Sequence, residues 1–288
     1  MEPPASGCSD PATPEEVYGL LFAPLRAKIH DARLIIVPHG DLHYVPFGAL
    51  RDPKTKRYLL EDYTISYTPS ASALKYLAEK ESPVEGRSLV IGNPVGEGTQ
   101  NALPGSQREA EAIGRLLGTT PKVGAAATEA LLYGIGGKYD LIHISAHGEY
   151  RADSPLFSRI VLAKDALHDG RLEVQEILSD VDFTGANLVV LSACGTARGR
   201  RSGGDEIVGL TRAVLYAGAP GVISTLWDID DDASADLMEE FYRHLLAGEL
   251  AADALRDAQL SLLRRAPYAD PRYWAAFELS GNPQGRWH

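Results

Sequence analysis

Apolar and polar positions along this chain of 288 residues alternate between strand and helix rhythms. Residues 15–31 (EEVYGLLFAPLRAKIHD) carry a helical period, with Thr13 placed to cap it and Pro14 in the first turn. RLIIVPHGDLHYVPFGAL then holds two β-rich runs around His39-Gly40-Asp41, the pattern of a hairpin. YTISYTPS reads as a strand, SASALKYLAEKE as a helix, and Pro83 to Arg87 as a polar joint. Beyond the joint the two rhythms take turns. SLVIGNP, DLIHISAHG, NLVVLSACG and GVISTLWDI read as strands, and RYWAAFELSG closes the chain as another. Between them lie the helical stretches SQREAEAIGRLLG, TEALLYGI, EVQEILSD and EIVGLTRAVLYAGA, followed by DASADLMEEFYRHLLAG and LAADALRDAQLSLLRRA. Ser106 and Glu109 have the spacing of a capping box at the start of the first of these.

Strands apolar on both faces and separated by helices make a parallel sheet covered on both sides. In such sheets ligands bind beyond the carboxyl ends of the strands. Two of those ends carry reactive side chains followed by glycine: His147-Gly148 and Cys194-Gly195. A third, GVISTLW, ends at Trp227-Asp228.

Composition narrows the reading. The length suits one large α/β domain or two smaller ones, and 44% hydrophobic with 23% charged residues is ordinary for a folded chain. A net charge of −11 argues against nucleic acid as a direct partner, since phosphate binding needs surplus Lys and Arg. No apolar run approaches the roughly 18 residues of a membrane span. The start, MEPPASGCSDPATPEE, lacks the basic and apolar regions of a signal peptide, so residues 1–14 are expected to form a disordered leader. Of two cysteines, Cys8 lies in that leader and Cys194 at a strand end, so no structural disulfide and a reducing, cytoplasmic setting are expected. A lone Cys with His elsewhere is a candidate nucleophile; the alternative is a small buried thiol.

The chemistry follows from the two strand ends. A thiol attacks a carbonyl as its thiolate, and a neighbouring imidazole takes its proton. Neighbouring strands lie about 4.8 Å apart, so two such ends reach one substrate carbonyl. Acyl transfer also needs N–H groups aimed at the developing oxyanion, for which the backbone N–H groups of Gly148 and Cys194 are the candidates. Glycine at 148 would let a substrate backbone approach; the alternative is that both glycines merely end their strands.

These segments resemble the CHAT family, a branch of the caspase-like (clan CD) cysteine peptidases. The matching stretches are DLHYVPFGALRD, YLLEDYTISYTPSAS, LIHISAHG, LVVLSACGT, VGLTRAVLYAGAPGVISTLWDIDDDA and YWAAFELSGNP, in order over roughly residues 30–285. The resemblance implies His147 as general base and Cys194 as nucleophile. It implies a caspase-like three-layer αβα sandwich with a mainly parallel, about six-stranded sheet at 85–288. An N-terminal α/β extension at 15–84 would precede it, the whole forming one continuous domain over about 15–285. The implied activity is a cysteine endopeptidase for protein or peptide substrates, in a bacterial signalling or defence pathway, controlled by a regulatory protein or sensor module in trans. The alternative is a catalytically idle scaffold acting as an interaction module. No cofactor and no metal are implied.

Relatives that cut after Arg or Lys often carry Asp two residues before the nucleophile; here that position is Ser192. Trp227 is then expected to wall the pocket for the residue preceding the cut, with Asp228, or Asp205, receiving a basic or polar side chain. Asp230, Asp231 and Asp232 read as caps of the next helix. TARGRRSGGDE (196–206) reads as a loop whose Arg198, Arg200 and Arg201 would suit self-cleavage. His143 shares a strand face with His147 and reads as a core residue, and His39 and His43 read as structural. Two cysteines, one in the leader, leave no zinc pattern.

Overall fold

The computed structural model describes residues 12–79, 86–95, 103–151, 153–195 and 205–284, with backbone only at 78, 193–195 and 205–208. The leader thus lies almost wholly outside the described residues, as does most of the 196–206 loop.

Helix α1 spans Pro14–Leu21. Thr13 caps it: the Thr13 Oγ1 accepts the Glu16 N–H at 3.2 Å, and the Glu16 carboxylate accepts the Thr13 N–H at 2.7 Å. The helix ends ten residues short of the expected 31, because Pro24 cannot continue it. The expected hairpin is also absent. Strand β1 (Arg33–Ile36) pairs in parallel with β2 (Thr64–Tyr67), while Gly40–Tyr44 and Phe47–Ala49 form 3₁₀ turns. Pro38 and Pro46 explain the difference, since each removes an N–H that a paired strand would need. Phe47 and Leu50 instead join Tyr18, Phe22, Leu59 and Tyr63 in a small satellite core. Helices α2 (Leu59–Asp62) and α3 (Ala71–Ala78) flank β2, and the Ser70 hydroxyl caps α3.

The remaining elements run β3 (Ser88–Pro94), α4 (Pro104–Leu116), β4 (Lys122–Gly124), β5 (Leu141–Glu149), β6 (Arg159–Val161) and β7 (Arg171–Glu173). Then come α5 (Val174–Ser179), β8 (Leu188–Gly195), α6 (Asp205–Tyr216), β9 (Gly221–Thr225), α7 (Asp231–Leu246), α8 (Ala251–Leu263) and β10 (Phe277–Gly281). TEALLYGI, expected as a helix, is a 3₁₀ turn at Glu129–Leu132.

The sheet order is β1-β2-β10-β9-β8-β5-β3-β4, with β6 and β7 branching off β5. The six strands from β10 to β4 match the number the resemblance implies, five of them read from the sequence and β4 not, all parallel except β10 against β9. The N-terminal extension lengthens this same sheet by β1 and β2. One apolar layer (Val90, Leu141, Val190, Ile223, Phe241, Trp274) packs the sheet against α4, α7 and α8. The other (Ile91, Ile144, Val189, Leu191, Val214) packs it against α5 and α6. Among the described residues no helix is long and apolar enough to cross a membrane.

Candidate active site

Alternate residues of a strand share a face, so β5 presents His143, Ser145 and His147 on one side of the sheet. β8 runs parallel beside it, with Val190 opposite His143, Ser192 opposite Ser145 and Cys194 opposite His147. The two expected catalytic residues therefore sit at one level, on one face, at the carboxyl ends of adjacent strands. His147 is partly exposed there, whereas His143 is fully buried.

One layer below the pair lies a buried polar network reaching in from α4 and α7. The Glu109 carboxylate accepts from Ser145 Oγ at 3.3 Å and from Ser234 Oγ at 3.2 Å. Its other oxygen lies 3.1 Å from His143 Nε2, whose Nδ1 lies 3.1 Å from the Tyr242 hydroxyl. Ser234 also meets Ser192 at 3.1 Å, and Ser106 Oγ donates to the Ser145 carbonyl at 2.6 Å. Burial pushes the Tyr242 hydroxyl well above its usual range, and the Glu109 charge adds to this. Tyr242 therefore stays a neutral hydroxyl beside His143 Nδ1, while His143 Nε2 and Glu109 Oε1 lie close together without hydrogen-bond geometry. The expected capping box is absent: α4 starts at Pro104, two residues early, so Ser106 and Glu109 lie inside the helix and turn inward. With Ala110 and Ile113 they fill positions i, i+3, i+4 and i+7 of its buried face, the sequence signal that would have revealed them.

The network encloses a cavity with about 10 Å³ of room, enough for one water, lined by Ser106, Glu109, Ser145, Ser192, Ser234 and Asp231. Asp231, expected only to cap α7, is half-buried at its first position, while Asp230 does the capping of Asp232 and Ala233. Burial raises the Asp231 carboxyl above the usual range, helped by the charges of Asp230 and Glu109; the Gly105 N–H and His147 pull it down. Asp231 is thus an acid in electrostatic contact with His147.

Trp227 lies beyond the end of β9, and its Nε1–H donates to the Arg272 carbonyl at 3.0 Å. Asp228 is exposed, and the Asp205 side chain lies outside the described residues. Gly148 has strand partners on both sides, Gly195 in β8 and Ile160 in β6. The Tyr150 ring fills the space a side chain at 148 would take, with its hydroxyl 3.3 Å from an ideal Cβ. Among the described residues, metal-type ligands cluster only at His244, Glu249 and Asp257. His244 lies thirteen residues along α7 from Asp231, about 20 Å away at 1.5 Å per residue.

The CHAT domain family profile matches residues 12–282. Tetratricopeptide repeat protein 28 of Mus musculus is 28% identical over 319 aligned residues, and its Homo sapiens counterpart 26%. Each alignment takes in 92% of this chain but only 13% of the relative's length. Among solved structures, the separase of a Saccharomyces cerevisiae separase–securin complex superposes with a TM-score of 0.56 at 18% identity, over 86% of this chain and 15% of that one. The Arg-specific cysteine proteinase gingipain R gives 0.51 at 11% identity, over 79% of this chain and 56% of that one. The chain belongs to the CHAT domain family, and its mostly parallel α/β sheet has the caspase-like fold of those peptidases.

Proposed function

We propose that the chain is a cysteine endopeptidase in which His147 takes the Cys194 thiol proton and the thiolate attacks the scissile carbonyl. The Sγ–C bond forms, His147 returns the proton to the leaving amine, and water then hydrolyses the thioester. The observation that carries this reading is the β5–β8 register, which sets His147 beside Cys194 at the open edge of the sheet. The backbone N–H groups of Gly148 and Cys194 remain the proposed oxyanion donors. For a basic side chain before the cut, Asp231, which lines the cavity next to Ser192, joins Asp228 and Asp205 as a proposed acceptor. Trp227 stays as an outer wall.

Control by a protein partner is part of the proposal, supported by separase being solved in complex with securin and by the repeat-containing relatives. A bacterial setting draws no support from those relatives, which are mammalian. Cytoplasmic placement and self-cleavage at 196–206 stay expectations.

The test is covalent labelling with a peptidyl acyloxymethyl ketone bearing Arg at the reactive position. Wild type is expected to label at Cys194, His147→Ala to label at least about 100-fold more slowly, and Asp231→Asn to lose the preference for Arg over Ala. Equal labelling of wild type and His147→Ala would remove the dyad and favour the idle scaffold.

A further inference from the structure

On the opposite face of the sheet from His147, a cavity opens between α6, the ends of β2 and β9, and the start of β10. It leaves about 40 Å³ of room for water-sized groups, several times what one water needs. Glu278 of β10 pairs with Ser224 of β9, and Ser224 meets Thr211 of α6 at 3.0 Å, so all three lie on the α6 side. The residue Glu278 keeps some exposed surface, but its Oε1 is enclosed and has no hydrogen-bond partner among the described residues. The Tyr67 hydroxyl bonds to the Glu278 carboxyl. At the mouth, the exposed Arg212 donates from Nη2 to His43 Nε2 at 3.4 Å. Apolar Pro38, Pro69 and Leu226 line the space as well.

An enclosed acid with an unused oxygen at the wall and a guanidinium at the rim form complementary poles, the acid becoming an anion when a ligand cation displaces its proton. A simple cation would satisfy Glu278 but meet Arg212, and a simple anion would do the reverse. A zwitterion satisfies both. We propose that this cavity binds a small aliphatic amino acid, its ammonium turned inward to Glu278 and its carboxylate outward to Arg212. His43, expected to be purely structural, helps hold Arg212 at the rim.

Burial holds the empty site's Glu278 carboxyl well above the usual carboxylate range, against a smaller opposing pull from the Tyr67 hydrogen bond. Ammonium binding favours the ionised form, so binding is accompanied by proton release. The site stands apart from the dyad, so it holds whether or not the chain is a peptidase.

The experiment is isothermal titration of the full chain with ω-amino acids from glycine to 6-aminohexanoate, in two buffers of different ionisation heat. Butylamine and butanoate serve as single-charge probes. At least one amino acid is expected to bind more tightly than either probe and to release protons. Glu278→Gln should weaken it about tenfold or more and abolish the release. Arg212→Ala, on an exposed side chain, should weaken the amino acid but leave butylamine binding as tightly as before or more tightly. Cys194→Ala should bind like wild type. Butanoate binding as tightly as the best amino acid, unchanged binding by Glu278→Gln, or no binding of any amino acid at millimolar concentration would overturn the proposal.

Discussion

A carboxylate buried as deeply as Glu109, 2% exposed, is tolerated only when its oxygens meet donors. Ser145 and Ser234 donate to one oxygen, and the His143 ring lies 3.1 Å from the other. Glu109→Ala would strand both hydroxyls in a dry layer and open a gap beside the His143 ring, so it is expected to destabilise the fold by about 3 kcal/mol, read by urea unfolding. Glu278 predicts a pH effect with a definite sign. Its folded-state pKa lies well above the ordinary 4.5, so the folded state holds a proton that the unfolded state has lost. Stability from this group is full below about pH 4.5 and falls as pH rises toward the folded-state value. Glu278→Gln should therefore gain on wild type progressively from pH 4.5 to 7, and a constant difference across that range would contradict it. His147 and Cys194 were legible because each ends an apolar run. Glu109 and Asp231 were not: Asp231 opens α7 and Glu109 has the spacing of a capping box with Ser106, so each acid has an adequate local explanation as a cap.

At the scale of elements, α4 lies unusually close to its neighbours, and two glycines permit it. A side chain at Gly105 would collide with Asp231, its Cβ 2.9 Å from the Asp231 carboxyl carbon, and one at Gly92 would come 2.9 Å from the Ser106 carbonyl. Gly105→Ala is expected to cost about 1–3 kcal/mol by forcing the two helix starts apart. Gly209, inside α6 with nothing within 4 Å of an added Cβ, should respond the other way, with Gly209→Ala gaining up to about 1 kcal/mol. Thermal or urea unfolding of the two variants separates these signs. Five core strands and the long helices were readable from periodicity. The strands β4, β6 and β7 were not, since three residues are too few to show a period. The apolar alternation around Gly40 has the look of a hairpin, but the two prolines that interrupt it decide against pairing.

Across the whole molecule, the N-terminal extension and the peptidase-like core share one sheet, because β2 lies against β10. Helix α8 reinforces the join: Arg256 donates to the carbonyls of Leu60 and Glu61 at 2.8 and 2.9 Å, and Asp253 accepts from Thr64 at 3.0 Å and pairs with Arg33. A chain shortened to residues 86–288 would expose the β10 edge and the apolar face of α8, and is expected to aggregate rather than elute as a folded monomer. The layered architecture followed from alternating apolar strands and helices, whereas this shared edge did not. Pairing partners distant in sequence leave no local pattern.

The proposed peptidase requires that the β5–β8 register make His147 and Cys194 a working pair. Incubating a denatured proteome with wild type, His147→Ala and Cys194→Ala, then sequencing new N-termini by mass spectrometry, tests it most directly. Termini made by wild type alone and sharing one preceding residue, basic if Asp231 receives it, are the predicted result. Identical sets of termini from wild type and Cys194→Ala would contradict the claim.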